Sequence, residues 1–226
     1  MNKLIIAIDG HAATGKSTQA KRLAKKLGYT YVDTGAMYRA ITLFAIQQEP
    51  DGQIDEELLK ESLDQIQIHF EGQADAQKIF LNGKEVTAAI RKPEINAQVS
   101  KVAALESIRF FLKKLQRKLG VNKGIVIDGR DIGTVIFPEA DCKFFLTANA
   151  SVRAQRRYQE QLDKGIEESY TAVYNNLKNR DTEDENRATA PLKKAADAIE
   201  VEVSHLTIDE VFNTLYARVK EKLDQK

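Results

Sequence analysis

The sequence contains one cysteine, no tryptophan and only four prolines among its 226 residues. A single cysteine excludes an intrachain disulfide, and the position of Cys142 in the apolar run 142–146 predicts a thiol of the core. We therefore expect a reducing compartment, the cytoplasm. The sequence also has no run of about 18 apolar residues and no early charged-then-apolar signal, so we expect neither a membrane span nor secretion.

The chain carries almost no net charge. Its 34 Lys and Arg residues nearly balance 33 Asp and Glu residues, which leaves a formal charge of +1 at pH 7. This balance argues against broad electrostatic binding to nucleic acid, so any affinity for phosphate must be local. With 42% hydrophobic and 30% charged residues, the composition is typical of a soluble globular protein, and we expect one domain with insertions.

The first 27 residues predict a phosphate-binding loop between a buried strand and a helix. Gly10, Gly15, Lys16 and Ser17 match the pattern G-x-x-x-x-G-K-[ST], directly after the apolar run 4–8. Glycines let the backbone curl so that its N–H groups face phosphate oxygens, and Lys16 adds a positive charge. The Ser17 hydroxyl can ligate a Mg²⁺ ion shared with the phosphates, while the following amphipathic helix contributes its N-terminal N–H groups. The residues assigned to the donor phosphates are Gly10, His11, Ala12, Ala13, Thr14, Gly15, Lys16, Ser17 and Thr18.

The rest of the chain predicts alternating strands and helices with one interruption. The predicted segments are a strand at 29–32, helices at 36–48 and 55–64, a helical stretch at 93–119 with a break near 105–107, strands at 125–127 and 144–146, helices at 151–162 and 170–179, a strand at 198–201 and a last helix after the capping box 207–210. The polar stretch 49–52 ends the second helix. The buried stripe of the last helix is predicted to contain Ile208, Val211, Leu215, Val219 and Leu223.

A small sheet is predicted between residues 64 and 91. Segment 66–70 alternates with period two, and the segments 78–81 and 84–86 flank the turn Asn82-Gly83. Asn-Gly between alternating segments is the strongest short-range signal for a β-hairpin. This sheet therefore interrupts the α/β pattern.

Charged residues follow one predicted strand, and a single arginine lies near the start of a predicted helix. Asp128-Gly129-Arg130-Asp131 follows a buried strand, and ligands in open α/β sheets bind at the carboxyl ends of strands; a polar turn is the alternative. Arg39 lies near a helix start, either as a surface arginine or at a second anion site.

Two further clusters are helical or follow a helix. Three arginines, at positions 153, 156 and 157, share one face of a predicted helix, which is either a solvated face or a phosphate clamp. The mixed-charge segment 180–187 is either a solvated turn or a binding segment.

Five segments together resemble the bacterial cytidylate kinases, a family of nucleoside monophosphate kinases. They are Ile8-Asp-Gly-His-Ala-Ala-Thr-Gly-Lys-Ser-Thr18, Asp33-Thr-Gly-Ala-Met-Tyr-Arg39, Asn96-Ala-Gln-Val-Ser-Lys-Val-Ala-Ala104, Asp128-Gly-Arg-Asp-Ile-Gly-Thr-Val-Ile-Phe-Pro138 and Arg180-Asp-Thr-Glu-Asp-Glu-Asn-Arg-Ala-Thr-Ala-Pro-Leu192. The resemblance covers essentially the whole chain. One departure lies in the loop, where His11 stands in place of the proline usual in the family.

The resemblance implies a fold and a domain organisation. It implies a P-loop α/β fold, a three-layer core with a parallel sheet, plus a small β-containing acceptor-binding insertion and a short helical lid. The core would comprise 1–63 and 92–226, the insertion 64–91 and the lid about 151–168, within one kinase domain.

The resemblance also implies residue roles. Arg39 and Arg130 would hold the acceptor phosphate, with Thr34 and Tyr38 lining the same pocket. Ser100, Arg109 and Asp131 would recognise cytosine, Arg180 and Asp184 would contact the sugar, and Arg187 would orient these groups. Asp128 would belong to this site at a position where a carboxylate can act on the Mg²⁺ shell, with Ser17 as the metal ligand. The catalytic set would be Lys16, Arg130, Arg153 and Arg157, the last two in a lid over ATP.

The implied activity is transfer of the γ-phosphate of ATP to CMP or dCMP, with Mg²⁺. Phosphoryl transfer needs positioning and charge neutralisation, and the sequence offers arginines and a loop lysine but no nucleophilic triad. A kinase for another small acceptor and a nucleotide-dependent switch are the alternatives. We expect a monomer that binds neither nucleic acid nor membranes.

Overall fold

The computed structural model describes residues 3–48 and 54–225. The chain divides into two compact units, one formed by Met1–Val32 and Asn122–Lys226 and the other by Asp33–Val121. The domain division implied by the resemblance stays a prediction. The predicted stop of the second helix at 49–52 lies outside the described residues.

The chain begins with alternating strands and helices and later contains consecutive helices and a small antiparallel sheet. The strands are β1 (Ile5–Gly10), β2 (Thr30–Asp33), β3 (Ile68–Glu71), β4 (Lys78–Leu81), β5 (Lys84–Glu85), β6 (Ile125–Gly129), β7 (Cys142–Thr147) and β8 (Ile199–Glu202). The helices are α1 (Lys16–Leu27), α2 (Thr34–Gln48), α3 (Glu56–Glu61), α4 (Pro93–Ala104), α5 (Glu106–Leu119), α6 (Ala150–Asp163), α7 (Tyr170–Asn186) and α8 (Ile208–Asp224).

A five-stranded sheet with the order β2-β6-β1-β7-β8 organises the first unit. Strand β1 pairs in parallel with both β6 and β7, and β7 pairs in parallel with β8. Ile6, Ala7 and Ile8 are fully buried, as the continuous apolar run of a parallel strand covered on both faces requires. Because β1 and β6 run in the same direction, their carboxyl ends lie side by side, and the phosphate loop follows the first of them.

The second unit combines helices with a three-stranded antiparallel sheet of order β3-β4-β5. Asn82 and Gly83, which join β4 to β5, have φ angles of 49° and 79°. Positive φ at both central residues is the geometry of a type I′ hairpin turn. The predicted hairpin is therefore confirmed, as is the break between α4 and α5, where Leu105 is extended.

The final helix begins as its sequence predicts. The Thr207 hydroxyl accepts a hydrogen bond from the Glu210 N–H at 3.2 Å, and Glu210 Oε2 accepts one from the Thr207 N–H at 2.8 Å, which completes the capping box. The predicted stripe is confirmed at Val211, Leu215 and Val219, is half-buried at Leu223, and is wrong at Ile208, which is 59% exposed. Ile208 is the first residue of α8, and the buried stripe starts one turn later at Val211.

Helix α7 is longer than predicted. The prediction ended it at residue 179 and left 180–187 as a turn or a binding segment, yet the helix continues to Asn186. Residues 180–186 contain no apolar side chain, so they show no hydrophobic period. Their helical conformation is accompanied by ion pairs from Asp181 and Asp184 to arginines of other elements of the first unit.

The predicted α/β class with a small additional sheet is confirmed. Within residues 3–48 and 54–225, no helix combines the length and the apolar character that crossing a membrane requires.

Candidate active site

The phosphate loop is held in a curled conformation between β1 and α1. Gly10, Ala13 and Gly15 all have positive φ, at 141°, 59° and 87°. A Cβ on Gly10 would lie 2.2 Å from the carbonyl oxygen of Leu146, so only glycine fits there. Gly15 precedes α1 without a side-chain cap, which leaves the first N–H groups of the helix to a ligand rather than to a capping side chain.

Lys16 lies inside the curl of the loop. Its Nζ donates a 2.6 Å hydrogen bond to the carbonyl oxygen of His11, and the residue is 5% exposed. Burial, followed by the positive charge of Arg130, lowers the pKa of Lys16 to about 7, although Asp128, Asp9 and Asp184 act in the opposite direction. A bound polyphosphate would restore the charged form, because negative charge nearby favours an ammonium ion.

The side-chain oxygens of Ser17 and Asp128 lie next to each other beside the loop. The Ser17 hydroxyl donates to Asp128 Oδ2 at 2.8 Å, and the Tyr31 hydroxyl donates to Asp128 Oδ1 at 2.8 Å. Hydroxyl and carboxylate oxygens suit Mg²⁺, which at phosphate sites combines one or two protein ligands with phosphates and water. The pair therefore fits a Mg²⁺ ion that is shared with a nucleotide. In the described part of the chain, no three His, Cys, Asp or Glu side chains gather into a metal site of their own.

Two arginines and two carboxylates form a linked set after β6 and at the end of α7. Arg130 Nε donates to Asp184 Oδ2 at 2.7 Å, while Arg187 reaches Asp184 Oδ1 at 3.5 Å and Asp131 Oδ1 at 3.4 Å. Burial alone would raise the pKa of Asp184, but the charge and hydrogen bond of Arg130 lower it, as do the charges of Arg187 and Arg180. The structure thus brings Arg130, Asp131, Arg180, Asp184 and Arg187 into one neighbourhood.

Arg153 is in direct contact with the phosphate loop. Its guanidinium pairs with Asp181 at 2.7 Å and donates to the carbonyl oxygen of Ala12 at 3.3 Å, and only 5% of its side chain is exposed. Arg157, by contrast, pairs with Glu160 on a partly exposed surface of the same helix. Arg156 donates to the carbonyl oxygen of Val203 at 2.7 Å. The three arginines of the predicted face therefore have different partners, and Arg153 is the one that contacts the loop.

Helices α6 and α7 also pack against the loop through apolar and charged side chains. Ala12 belongs to a buried cluster with Ala154, Val173 and Leu177, and Ala13 packs against it. His11 Nε2 lies 2.6 Å from Glu185 Oε1. The segment predicted as a lid is thus joined to the loop at several points.

The remaining predicted residues lie in the second unit. Arg39 Nη2 donates to Asp33 Oδ2 at 3.2 Å, and Asp33 Oδ1 accepts from the Ala36 N–H at 2.8 Å near the start of α2. Arg109 lies 5.6 Å from the centre of the Tyr38 ring and donates to the Ala103 carbonyl at 3.0 Å. Thr34 is buried at the start of α2, and Ser100 is half-buried in α4.

Three acidic residues of the site were not among the sequence predictions. Asp9 accepts hydrogen bonds from two backbone N–H groups of the turn that follows β6. Asp181 pairs with Arg153, and Glu185 pairs with His11. Asp9 has a sequence signal, since it is an acidic residue at the end of an apolar strand. Asp181 precedes Asp184 by three residues and Glu185 by four, a helical spacing that becomes visible once α7 extends to Asn186.

The chain was compared with protein families, curated proteins and solved structures. The profile of the cytidylate kinase family matches residues 6–221. The chain is 48% identical over 214 residues to the cytidylate kinase of Phocaeicola vulgatus, covering 93% of each sequence. It is 47% identical over 220 residues to the cytidylate kinase of Bacillus subtilis, covering 97% of this chain and 98% of the relative.

A solved structure of an uncharacterised protein from Eubacterium ventriosum is similar in fold alone. Its TM-score is 0.53 at 13% sequence identity, over 97% of this chain and 99% of the other. The sequence matches, in contrast, extend over nearly the full length at almost one identical residue in two. The chain therefore belongs to the cytidylate kinase family.

Proposed function

We propose that the protein transfers the γ-phosphate of ATP to CMP or dCMP, giving CDP or dCDP. The observation that carries this proposal is the position of the phosphate loop and of the Arg130–Asp131 turn at the carboxyl ends of the adjacent strands β1 and β6, in a member of the cytidylate kinase family. Phosphoryl transfer depends on positioning and charge neutralisation, and these two segments supply both.

The donor side of the proposed reaction rests on the loop and its lysine. The loop N–H groups would hold the β- and γ-phosphates of ATP, and the Lys16 ammonium would neutralise the charge that develops during transfer. Arg153 reaches the loop carbonyl of Ala12 and can turn its guanidinium towards a phosphate at the same place. Arg157 would join it from the outer face of α6.

Ser17 and Asp128 would hold a Mg²⁺ ion that arrives with ATP. Bound there, the ion would neutralise phosphate charge. The 2.8 Å contact between their side-chain oxygens supports this assignment, because it places a hydroxyl and a carboxylate within reach of one ion.

The acceptor side rests on guanidinium groups and on one carboxylate. Arg39 and Arg130 would hold the acceptor phosphate, since two guanidinium groups bind a phosphate through charge-assisted hydrogen bonds. Asp131, Ser100 and Arg109 would recognise cytosine. Contacts to the sugar and the orientation of the pocket are assigned to Arg180, Asp184, Arg187, Thr34 and Tyr38.

A coupled assay of ADP release, run with ATP and Mg²⁺, tests the proposal. The panel comprises CMP, dCMP, UMP, AMP, GMP and a sample without acceptor, each also with EDTA. We expect CMP and dCMP to stimulate ADP release far above the acceptor-free rate. Strong stimulation by another monophosphate alone would establish a different acceptor, and release that no acceptor stimulates would establish a nucleotide-dependent switch.

We further propose a cytoplasmic monomer. Size-exclusion chromatography with light scattering tests the oligomeric state directly, and a mass of twice the chain's 25.4 kDa would contradict it.

A further inference from the structure

The carboxylate of Asp9 is committed entirely to one backbone turn. Its Oδ1 accepts from the Ile132 N–H at 2.9 Å and its Oδ2 accepts from the Gly133 N–H at 2.7 Å. Asp9 is 4% exposed and lies one residue before Gly10. The donors belong to the first two residues of the π-helical turn Ile132–Ile136, directly after the Arg130–Asp131 pair.

Asp131 occupies the N-cap position of that turn but does not cap it. An aspartate there ordinarily accepts a hydrogen bond from the N–H of the second or third residue of its own helix, here Gly133 or Thr134. In this structure the Asp131 side chain makes no capping bond, and its Oδ1 lies 3.4 Å from Arg187 Nη2 instead. Asp9, a residue of strand β1, accepts the Gly133 N–H in its place, and the Asp131 carboxylate is turned towards Arg187.

The surroundings of the turn keep it against Asp9. A Cβ on Gly133 would lie 3.2 Å from Lys143 Cδ and 3.4 Å from Asp9 Oδ2, so the backbone approaches both side chains closely. Lys143 Nζ also donates to the Pro138 carbonyl, just beyond the turn. Asp9 of β1 and Lys143 of β7 thus both hold this segment in place.

Electrostatics favour the same arrangement. Burial raises the pKa of Asp9 to about 6, against the lowering effect of its two backbone donors; the charge of Asp131 also raises it, and that of Lys16 lowers it. The repulsion between the two carboxylates favours an Asp131 side chain that points away from Asp9 and towards arginine.

We propose that Asp9 is a positioning residue for acceptor recognition, because it holds the turn that follows Asp131 and thereby orients the Asp131 carboxylate for contact with the cytosine ring. The inference rests on the proposed function, since it presupposes that Asp131 contacts the base. It also links the phosphate-loop strand to the acceptor turn, because Asp9 and Gly10 are consecutive residues of β1.

The test is the substitution Asp9→Asn, measured by steady-state kinetics with CMP and UMP. An Asn side chain can accept only through its oxygen, and its NH₂ group would face the second N–H donor. With one capping bond lost, Asp131 can turn back onto its own helix. We expect KM for CMP to rise by about tenfold or more and the CMP-over-UMP preference to narrow.

Asp141→Asn is the matched control. Asp141 also accepts from a backbone N–H of β1, that of Ile5 at 2.8 Å, but at the opposite end of the strand. The control variant loses the same charge, one backbone contact to β1 and the ion pair of Asp141 with Lys123, so it reports general destabilisation of β1. We expect it to keep the wild-type CMP-over-UMP ratio.

The double variant Asp9→Asn/Asp131→Asn separates positioning from a purely structural role. If Asp9 acts through Asp131, the double variant should have the same base preference as Asp131→Asn alone. Fully additive losses, or an Asp9→Asn variant with wild-type KM and preference for CMP, would overturn the inference.

A measurement on the wild-type protein covers the case in which Asp9→Asn does not fold. The amide proton resonances of Ile132 and Gly133 should shift together with pH as Asp9 titrates, with a midpoint near pH 6. Two amide resonances that do not move at any pH at which the protein stays folded would overturn the inference. Wild-type protein that turns over CMP without preferring it to UMP would instead remove the role of Asp131, and protein that does not turn over CMP would remove the proposed function itself.

Discussion

The ammonium of Lys16 donates a 2.6 Å hydrogen bond to the carbonyl oxygen of His11 within the same loop. The backbone of the loop therefore holds the Lys16 side chain at the place where we expect the phosphates to bind. Burial, together with the charge of Arg130, lowers its pKa to about 7. Near neutral pH the side chain is consequently divided between its charged and neutral forms, and the phosphates of ATP favour the charged one.

Binding of ATP should therefore be coupled to proton uptake by Lys16. At pH 8 the free lysine is mostly neutral, so we expect uptake that approaches about one proton per ATP, and this uptake should fall as the pH is lowered through 7. Isothermal titration calorimetry at pH 8 in two buffers with different ionisation enthalpies measures the number of protons. The matched variant Lys16→Arg stays charged throughout and should show no uptake; equal uptake in both proteins would contradict the assignment to Lys16.

Removing the lysine side chain tests its catalytic role separately. Lys16→Ala should lower turnover by about a hundredfold or more, because a charge that stabilises the transferring phosphoryl group is lost. Urea unfolding of the same variant should show an intact cooperative transition. A folded Lys16→Ala protein with near-normal turnover would show that Lys16 is not catalytic.

Two loop glycines should differ in their tolerance of alanine. Gly10→Ala places a methyl group 2.2 Å from the backbone oxygen of Leu146, the residue that pairs with Gly10 across β1 and β7. We expect a loss of about 3 kcal/mol or more in the free energy of unfolding. Gly15→Ala meets no atom within 4 Å and should cost only the strain of its positive φ, about 1–2 kcal/mol. Urea unfolding midpoints measure both, and equal losses would contradict the steric argument.

The pair of Asp184 with Arg130 should contribute to stability in a pH-dependent way. The pKa of Asp184 is lower in the folded protein than in the unfolded chain. The ionised carboxylate therefore stabilises the fold at pH values above its ordinary pKa, and this stabilisation is lost as the pH falls through the lowered pKa. We expect Asp184→Asn to cost about 3 kcal/mol at pH 7, towards the lower end for buried pairs because 21% of the Arg130 side chain is exposed. The difference from wild type should shrink below about pH 4.

The exposed pair of Glu160 with Arg157 provides the control for that experiment. Glu160→Gln removes a charge from a side chain that is 46% exposed, and should change the free energy of unfolding by less than about 0.5 kcal/mol. Equal effects of the two substitutions would mean that Asp184 does not stabilise the buried arginine.

Local rules were sufficient to predict much of the fold. The phosphate loop, the Asn82-Gly83 turn and the Thr207–Glu210 capping box each depend on residues within a few positions of one another, so their chemistry is visible in the sequence. The apolar run of β1 predicts a strand buried on both faces for the same reason.

Long-range contacts account for what could not be predicted. The end of α7 has no apolar period, and its partner Arg130 lies 54 residues away from Asp184. The hydrogen bond from Ile132 to Asp9 spans 123 residues. Neither spacing nor composition indicates which carboxylate caps which turn, because that pairing is decided by the order of strands in the sheet.

Base preference should depend on the carboxylate of Asp131. Cytosine presents an exocyclic amino donor where uracil presents a carbonyl acceptor, and a carboxylate only accepts hydrogen bonds. We therefore expect a large preference for CMP, because a buried polar group left without a partner costs about 1–3 kcal/mol. Asp131→Asn, whose amide also donates, should lower kcat/KM for CMP and narrow the CMP-over-UMP ratio.

Asp131→Ala is the matched variant, since it removes the acceptor without supplying a donor. Its kcat/KM should fall with CMP and should not rise with UMP. In Asp131→Asn, by contrast, kcat/KM for UMP should rise relative to that for CMP. Steady-state kinetics with both monophosphates at saturating ATP measure the two ratios. If Asp131→Asn keeps the wild-type ratio, Asp131 does not contact the base, and its carboxylate acts instead by orienting Arg187, whose guanidinium lies 3.4 Å away.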